Sequence, residues 1–321
     1  THSPMSGRRV GFCLSDKKRR RMNLGAFADF CIDLTQPLVP QGPFDVIVHK
    51  LSDVIVEAEH DSQSQHEIPP LQSYVSTHPS TVLLDPLPAM TQLLDRFASY
   101  RIMSKLHNSL RDWRICSPPY LEIHSASDLS SIQQTVMAQG LSFPLSQFPL
   151  LLNAGSLTDI HPPCVLQSFV NHGAVLHKVF VVGDKHFCVE RPSLKNFPSG
   201  PCDRKTIFFN SHQVSKPESS SDLTMPCLPP PSSQAVAALV RELRVQLGMA
   251  LFGVDVILNI HTHTLTVIDI NIFPGYEGVP QFFSSLLSHI ESVLDKQTSV
   301  CPRATSTPKT TLTTGGPSAA L

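Results

Sequence analysis

The sequence predicts an α/β protein in which an open α/β region comes before a region made mainly of strands. In roughly the first 98 residues, short apolar runs of strand length alternate with segments of helical periodicity. This alternation is typical of an open, Rossmann-like sheet with helices between its strands. Beyond residue 98 the apolar runs follow one another with fewer helical segments between them. We therefore expect an N-terminal α/β domain at 1–98, a second domain at 99–297, and a disordered tail at 298–321 that is rich in Ser, Thr, Pro and Gly.

The elements of the N-terminal region each follow from a local pattern. A helix is predicted after the first strand because Ser15 or Asp16 can cap it, and a later helix opens at Pro86 or Pro88 and ends at Arg96. The expected strands are 8–14, 45–49 and 81–84, and a further helix covers 71–78. The first helix is expected to bury Leu24, Phe27, Phe30 and Cys31.

The second region contains more strands and two clear helices. One helix is predicted at 234–247 with Gly248 as its stop, and the last helix begins at Pro280. Residues 215–233 are rich in Pro and Ser and are expected to form a surface loop. The expected strands are 165–170, 176–182, 186–190, 206–209, 251–258 and 267–272, with hairpin turns at 183–185 and 259–264. The last helix is expected to turn inward Phe282, Phe283, Leu286, Leu287 and Ile290.

Composition excludes several classes of protein. A formal net charge of −1 provides no overall basic field for nucleic acid, and no apolar run approaches the ~20 residues of a membrane span. The 8 cysteines contain no C-x-x-C pair, so we expect reduced thiols in a cytoplasmic or nuclear protein. Nothing in the sequence demands an oligomer, and a monomer that needs neither nucleic acid nor membrane is expected.

The most informative stretch is the strand that carries Asp269 and Asn271, which is followed at once by a Gly-containing turn. The two side chains are two residues apart and therefore leave the same face of the strand. A hairpin between this strand and the preceding one would bring Asp255 near Asp269. Two carboxylates and an amide on one face suit Mg²⁺, with waters and phosphates completing the coordination. The alternative is that each is an edge residue or is bonded to a nearby turn.

Basic residues suggest an anionic ligand. The run 17–21 at the start of the first helix can bind phosphate, although a solvated charged face or a nuclear-import signal explains the run alone better. Lys178 interrupts an apolar strand and should find a partner. Loop serines such as Ser193, Ser211 and Ser215 can donate to phosphate oxygens.

Longer strings of the sequence resemble one known family. They include Ile-Asp-Ile-Asn-Ile-Phe-Pro-Gly-Tyr-Glu-Gly-Val (268–279) and Pro-Pro-Cys-Val-Leu-Gln-Ser-Phe-Val-Asn-His (162–172). Further matching strings are 42–50, 82–89, 179–183, 191–197 and 208–221. These closely resemble the inositol-tetrakisphosphate 1-kinases, also called inositol 1,3,4-trisphosphate 5/6-kinases, over about 8–294. The resemblance implies that the α/β domain 1–98 lies on the substrate side and that an ATP-grasp fold follows it.

The resemblance also implies the roles of individual residues. It assigns ATP and two Mg²⁺ ions as cofactors, inositol polyphosphates as substrates, and Lys178 and Asn271 to the reacting centre. The residues that match metal ligands are Asp255, Asp269 and Asn271. The residues that match substrate contacts are Lys18, Lys50, Lys178, Asn271 and Gly275. The residues that match nucleotide contacts are Arg96, Gln167, Lys178, Ser193, Ser211 and Ser215. The chemistry agrees, because phosphoryl transfer depends mainly on positioning and charge neutralisation.

The sequence departs from the family pattern at two places. Only residues 32–35 separate the first helix from Gln36, where the family has room for the end of a helix and a full second strand. Residues 145–160, within an atypical lid segment at about 115–165, contain no Lys, Arg or His where the family has an ATP-binding lysine and a substrate-contacting histidine. The first hypothesis is a kinase, and the alternative is an inositol-phosphate-binding protein with impaired catalysis. A carboxylate–amine ligase is a distant third.

Overall fold

The computed structural model of the chain describes residues 7–22, 31–58, 62–138, 161–196, 214–215 and 228–300. Its first sheet has three parallel strands, β1 (Val10–Cys13), β2 (Val46–His49) and β3 (Val82–Leu84), in the order β1-β2-β3. The helices of this region are α1 (Asp16–Arg21), α2 (Leu51–Ala58), α3 (Ser62–Thr77) and α4 (Leu87–Thr91), with a short 3₁₀ turn at Val39–Gln41. The predicted open α/β arrangement is therefore present.

A five-stranded sheet forms the centre of the rest of the chain. Its order is β4-β10-β9-β7-β8, from β4 (Ile115–Cys116), β7 (Val175–Val182), β8 (Lys185–Pro192), β9 (Leu251–Leu258) and β10 (Leu265–Ile272). A separate antiparallel pair contains β5 (Tyr120–Ile123) and β6 (Cys164–Gln167). The helices here are α5 (Arg96–Leu110), α6 (Ala126–Ala138), α7 (Ser233–Leu247) and α8 (Phe282–Val300). No described helix is long and apolar enough to span a membrane.

The two faces of the five-stranded sheet bury different partners. One face, which includes Val179 and Val254, packs against apolar side chains of α5 and α7. The opposite face, which includes Phe180 and Leu251, packs against α8 and the three-stranded sheet. Side chains alternate between the faces of a strand, so Lys178 and Asp255 share the second face with Phe180 and Leu251.

Several boundaries differ from the sequence-based expectation. The prediction that Arg96 ends a helix is wrong, because it begins α5 and Asp95 caps that helix by accepting the Phe97 amide at 2.9 Å. Residue 98, the predicted domain boundary, lies inside α5. Leu287 was expected to face inward but is 38% exposed, and α8 extends to Val300.

The first helix also differs, since α1 ends at Arg21 and Cys31 is not helical. Cys31 forms an isolated parallel bridge with Phe12 at the edge of the first sheet. A single bridge therefore lies where the family pattern has room for a strand. The predicted apolar positions Leu24, Phe27 and Phe30, the strand at 206–209 and most of the loop at 215–233 lie outside the described residues.

Substitution by alanine is expected to destabilise the protein more at Gly183 than at Gly248, although both glycines have a left-handed backbone conformation. Gly183 has φ +62°, and a Cβ there would collide with the His289 ring, whereas Gly248 has φ +64° and its nearest neighbour would be Ala89 Cβ at 3.8 Å. Gly248→Ala should therefore lose about 1 kcal/mol of stability from backbone strain alone, and Gly183→Ala about 2–3 kcal/mol. Chemical denaturation of both variants measures the difference, and equal losses would contradict the role of His289.

Candidate active site

Three side chains form a row across the middle of the five-stranded sheet. Lys178 on β7 is paired in register with Asp255 on β9, and Asp255 is paired with Asp269 on β10. The register between β9 and β10 shifts between Val267 and Asp269, which sets the two acids opposite each other. Asn271 lies two residues further along β10, opposite Gly253. The hairpin predicted from the sequence therefore brings the two acids together.

Lys178 finds its partner in Asp255. Its Nζ lies 3.0 Å from Asp255 Oδ1 and 2.8 Å from Oδ2, and the side chains are 23% and 14% exposed. A lysine within a mostly apolar strand would lose much of its hydration, and this pairing compensates part of that loss. The sequence indicated that Lys178 needs a partner but did not identify it.

The oxygen atoms of this row fit a hard divalent cation. Asp255, Asp269 and Asn271 are all half-buried and supply only oxygen ligands from one face. Within the described part of the chain, no group of three or more His, Cys, Asp or Glu is arranged to hold a metal. A cation bound here would therefore need further oxygen ligands from water or from a bound phosphate, which is how Mg²⁺ is usually held.

Lys18 lies against the turn that follows β10. It is 5% exposed, and its Nζ donates to the Phe273 carbonyl at 2.7 Å and to the Pro274 carbonyl. The ammonium also lies 4.4 Å from the centre of the Phe273 ring. Burial and the nearby Lys50 lower the pKa of Lys18 to about 7. Lys50 itself lies 3.4 Å from Asp53 Oδ1.

Lys18→Met is expected to remove a pH dependence of stability. The pKa of Lys18 is about 7 in the folded protein and 10.5 ordinarily, so between these values the unfolded chain holds a proton that the folded chain lacks. Wild-type stability should therefore rise with pH in this window relative to the variant, by up to ~1.4 kcal/mol per pH unit. Chemical denaturation of both proteins at about pH 7, 8 and 9 measures this, and a constant difference would contradict it.

The turn after β10 folds back over the sheet and is held from several sides. Gly253 leaves room for it, since a Cβ there would lie 3.1 Å from Pro274 Cγ. Arg191, which is 8% exposed, donates to the Glu277 carbonyl at 2.6 Å. The Tyr276 hydroxyl donates to the Val181 carbonyl at 2.7 Å. These contacts fix the turn that contains Gly275. Sequence patterns alone predicted Arg191 as a surface charge in a loop and assigned no role to Tyr276, whereas Arg191 is buried on β8.

Two of the predicted nucleotide contacts have defined neighbours. Gln167 Nε2 donates to the Ile268 carbonyl at 3.5 Å, which ties β6 to β10 beside the acids. Ser193 Oγ lies 2.7 Å from His172 Nε2, and His172 Nδ1 lies 2.7 Å from the Val170 carbonyl. A carbonyl only accepts, so Nδ1 carries the ring proton and Ser193 donates to Nε2. No sequence pattern predicted this role of His172.

The remaining predicted positions are only partly described. Arg96 lies at the start of α5, and Ser215 is half-buried. Ser211 and the segment 145–160 lie outside the described residues. The structure therefore brings Lys178, Asp255, Asp269 and Asn271 to one face of the sheet, with Lys18 and Gly275 at the neighbouring turn.

Two family models match most of the chain. The inositol 1,3,4-trisphosphate 5/6-kinase pre-ATP-grasp domain matches residues 9–90, and the ATP-grasp domain of the same family matches residues 109–292. The described residues Lys18 and Lys50 fall in the first match, and the acid-bearing strands fall in the second.

Curated relatives agree with these matches. The chain is 47% identical to an inositol-tetrakisphosphate 1-kinase of Danio rerio, covering 91% of this chain and 81% of the relative. It is 45% identical to that of Xenopus laevis, covering 91% and 80%. An inositol-tetrakisphosphate 1-kinase 3 of Oryza sativa subsp. indica is 34% identical, covering 90% and 83%.

The fold has solved neighbours as well. The D-alanine–D-alanine ligase of Bacillus anthracis matches with a TM-score of 0.51 at 10% identity, covering 91% of this chain and 100% of the ligase. At that identity the match bears on the fold alone. Together with the family models it confirms the predicted α/β ATP-grasp architecture.

Proposed function

The chain belongs to the inositol 1,3,4-trisphosphate 5/6-kinase family, and from that premise we propose that it is a Mg²⁺-dependent inositol polyphosphate kinase. The reaction moves the γ-phosphoryl group of ATP to the 1-position of inositol 3,4,5,6-tetrakisphosphate or to the 5- or 6-position of inositol 1,3,4-trisphosphate. The row of Lys178, Asp255 and Asp269, with Asn271 beside it, carries the proposal. It combines oxygen ligands for a divalent cation with a cation suited to phosphate.

The acidic and amide side chains are assigned to the metal ions, and the basic side chains to phosphate groups. Asp255, Asp269 and Asn271 would hold two Mg²⁺ ions, which neutralise charge on the ATP phosphates when bound. Lys18, Lys50 and Lys178 bind substrate phosphates, with Asn271 and Gly275 lining the same side, and Lys178 and Asn271 act nearest the transferred group. The nucleotide contacts are Arg96, Gln167, Lys178, Ser193, Ser211 and Ser215. A loose transition state for phosphoryl transfer needs little help from a general base.

The setting of the enzyme is part of the same proposal. It acts as a monomer in the cytoplasm on small phosphorylated inositols. The basic run at 17–21 could also serve as a nuclear-import signal, so that part of the protein would be nuclear. Neither nucleic acid nor a membrane takes part.

Turnover and binding tested side by side decide the function. The full chain is incubated with ATP, Mg²⁺ and inositol 3,4,5,6-tetrakisphosphate or inositol 1,3,4-trisphosphate, and the products are separated by anion exchange. Binding of the same inositol phosphates is measured by calorimetry. Turnover of either supports the kinase, whereas a chain that binds neither overturns the proposal.

A second candidate is an inositol-phosphate-binding protein with little or no turnover. The absence of Lys, Arg and His from residues 145–160 favours it. A charge-assisted hydrogen bond is worth ~1.5–3 kcal/mol, so one lost lysine contact weakens ATP binding about ten- to a hundredfold. Binding without turnover supports this candidate. Exchange of the segment for a family-length, Lys-bearing one should then restore turnover, and a failure to do so would exclude the segment as the only fault.

A further inference from the structure

A buried aspartate joins the three-stranded sheet to the start of β9. Asp85 directly follows β3 and is 5% exposed. Its Oδ1 accepts the Ala250 amide at 2.8 Å, and its Oδ2 accepts the Leu251 amide at 2.8 Å. Burial raises the pKa of Asp85 to about 6, and the two amides oppose that rise. The peptides that Asp85 holds begin the strand that carries Asp255.

A histidine holds Asp85 from the other side. His49, the last residue of β2, is 3% exposed, and its Nε2 donates to the Asp85 carbonyl at 2.6 Å. Its Nδ1 accepts the Leu51 amide at 3.3 Å. The carbonyl only accepts, so Nε2 carries the ring proton, and burial lowers the pKa of His49 to about 4, which keeps the ring neutral. Lys50 lies between His49 and Leu51 in the chain, so the contact between these two residues spans it.

A second path leads from the same peptides to Lys18. The Leu251 carbonyl accepts the Phe273 amide at 3.1 Å. The Phe273 carbonyl in turn accepts from Lys18 Nζ at 2.7 Å. Both lysines are therefore connected to the first peptides of β9. The connection of Lys50 runs through His49 and Asp85, and that of Lys18 runs through Phe273.

We infer that Asp85 and His49 form a latch between the two sheets that positions Lys50 and Lys18 relative to the acid-bearing strand β9. The inference rests on the proposed function, since it takes the two lysines as contacts for substrate phosphates. Asp85 is a positioning residue and touches no substrate itself. Amide donors are directional, so a carboxylate that binds two consecutive amides sets both the distance and the direction of the strand.

Asp85→Asn tests the latch in the full chain. The new side chain keeps one acceptor but turns an NH₂ group toward an amide donor, so one of the two contacts is lost. We expect the Kd for inositol 3,4,5,6-tetrakisphosphate, measured by calorimetry, to rise about tenfold while the Kd for ATP changes less than about twofold. In a Lys50→Met background the same substitution should add less than about threefold, because one of the residues it positions is already missing.

Asp33→Asn is the matched control. Asp33 Oδ1 also accepts two hydrogen bonds, from the Thr35 amide at 2.9 Å and the Thr35 hydroxyl at 2.6 Å, but Asp33 is exposed. Its substitution should leave both Kd values within about twofold. If circular dichroism shows that Asp85→Asn does not fold, His49→Gln is measured instead. Its amide keeps a donor for the Asp85 carbonyl, and a rise of about threefold is expected.

The binding measurements distinguish a failure of the proposed function from a failure of the latch formed by Asp85 and His49. A wild-type chain that binds no inositol phosphate overturns the proposed function. A wild-type chain that binds, with a latch variant that binds equally well, overturns the latch alone. The latch is also overturned if Asp85→Asn weakens inositol phosphate binding by the same factor in the Lys50→Met background as in the wild type. It is overturned as well if Asp85→Asn weakens ATP binding as much as inositol phosphate binding.

Discussion

Asp255→Asn is expected to lower the turnover of the kinase reaction about a thousandfold while the protein stays folded. The substitution removes one carboxylate from the facing pair with Asp269 and leaves Lys178 with a neutral partner. Groups that stabilise transition-state charge in a site of this kind contribute about a hundred- to a thousandfold each. A metal ligand at the reacting phosphate belongs at the upper end of that range.

Steady-state kinetics with saturating ATP and Mg²⁺ measures this effect, and Mn²⁺ binding followed by electron paramagnetic resonance gives an independent readout. Asp184→Asn is the matched control, because Asp184 is an exposed residue in the turn between β7 and β8. The control should retain wild-type turnover and Mn²⁺ binding. Turnover of Asp255→Asn within tenfold of wild type would exclude Asp255 as a metal ligand.

Lys178→Met is expected to lower kcat/KM for the inositol phosphate about a hundredfold. It removes a cation beside the acids and leaves Asp255, which is 14% exposed, without its ion-pair partner. A charge-assisted hydrogen bond to phosphate is worth ~1.5–3 kcal/mol, which is about ten- to a hundredfold. Stability should fall by about 1–2 kcal/mol, because the pair is only partly buried and water screens part of the loss.

The double variant Lys178→Met, Asp255→Asn separates stability from activity. Removing both charges should recover most of the lost stability, because neither member of the partly buried pair is then left without its partner, but activity should stay as low as in the Asp255→Asn variant. Lys185→Met is the control, since Lys185 is exposed at the start of β8. A double variant that is less stable than Lys178→Met would contradict the importance of the ion pair for the fold.

Local patterns in the sequence were sufficient for most of the regular elements. The strands carrying Asp255 and Asp269, the helix that ends at Gly248 and the last helix all have strong periodicity or clear stop signals, and all are present. Elements with weak patterns were missed, including the two-residue strand β4 and the strand β5, whereas β6 overlaps the strand predicted at 165–170. Their stability comes from pairing with distant strands, which no local window contains.

The sequence by itself determined the family, the two acid-bearing strands, the shared face of Asp269 and Asn271, and the need of Lys178 for a partner. These follow from strand alternation and from the cost of burying a charge, which are local properties. Only the tertiary structure decided that the partner of Lys178 is Asp255, that Lys18 binds the carbonyls after β10, and that Asp85 and His49 join the two sheets. These contacts join residues 36 to 256 positions apart, and strand order and register, which emerge when the whole chain packs, bring them together.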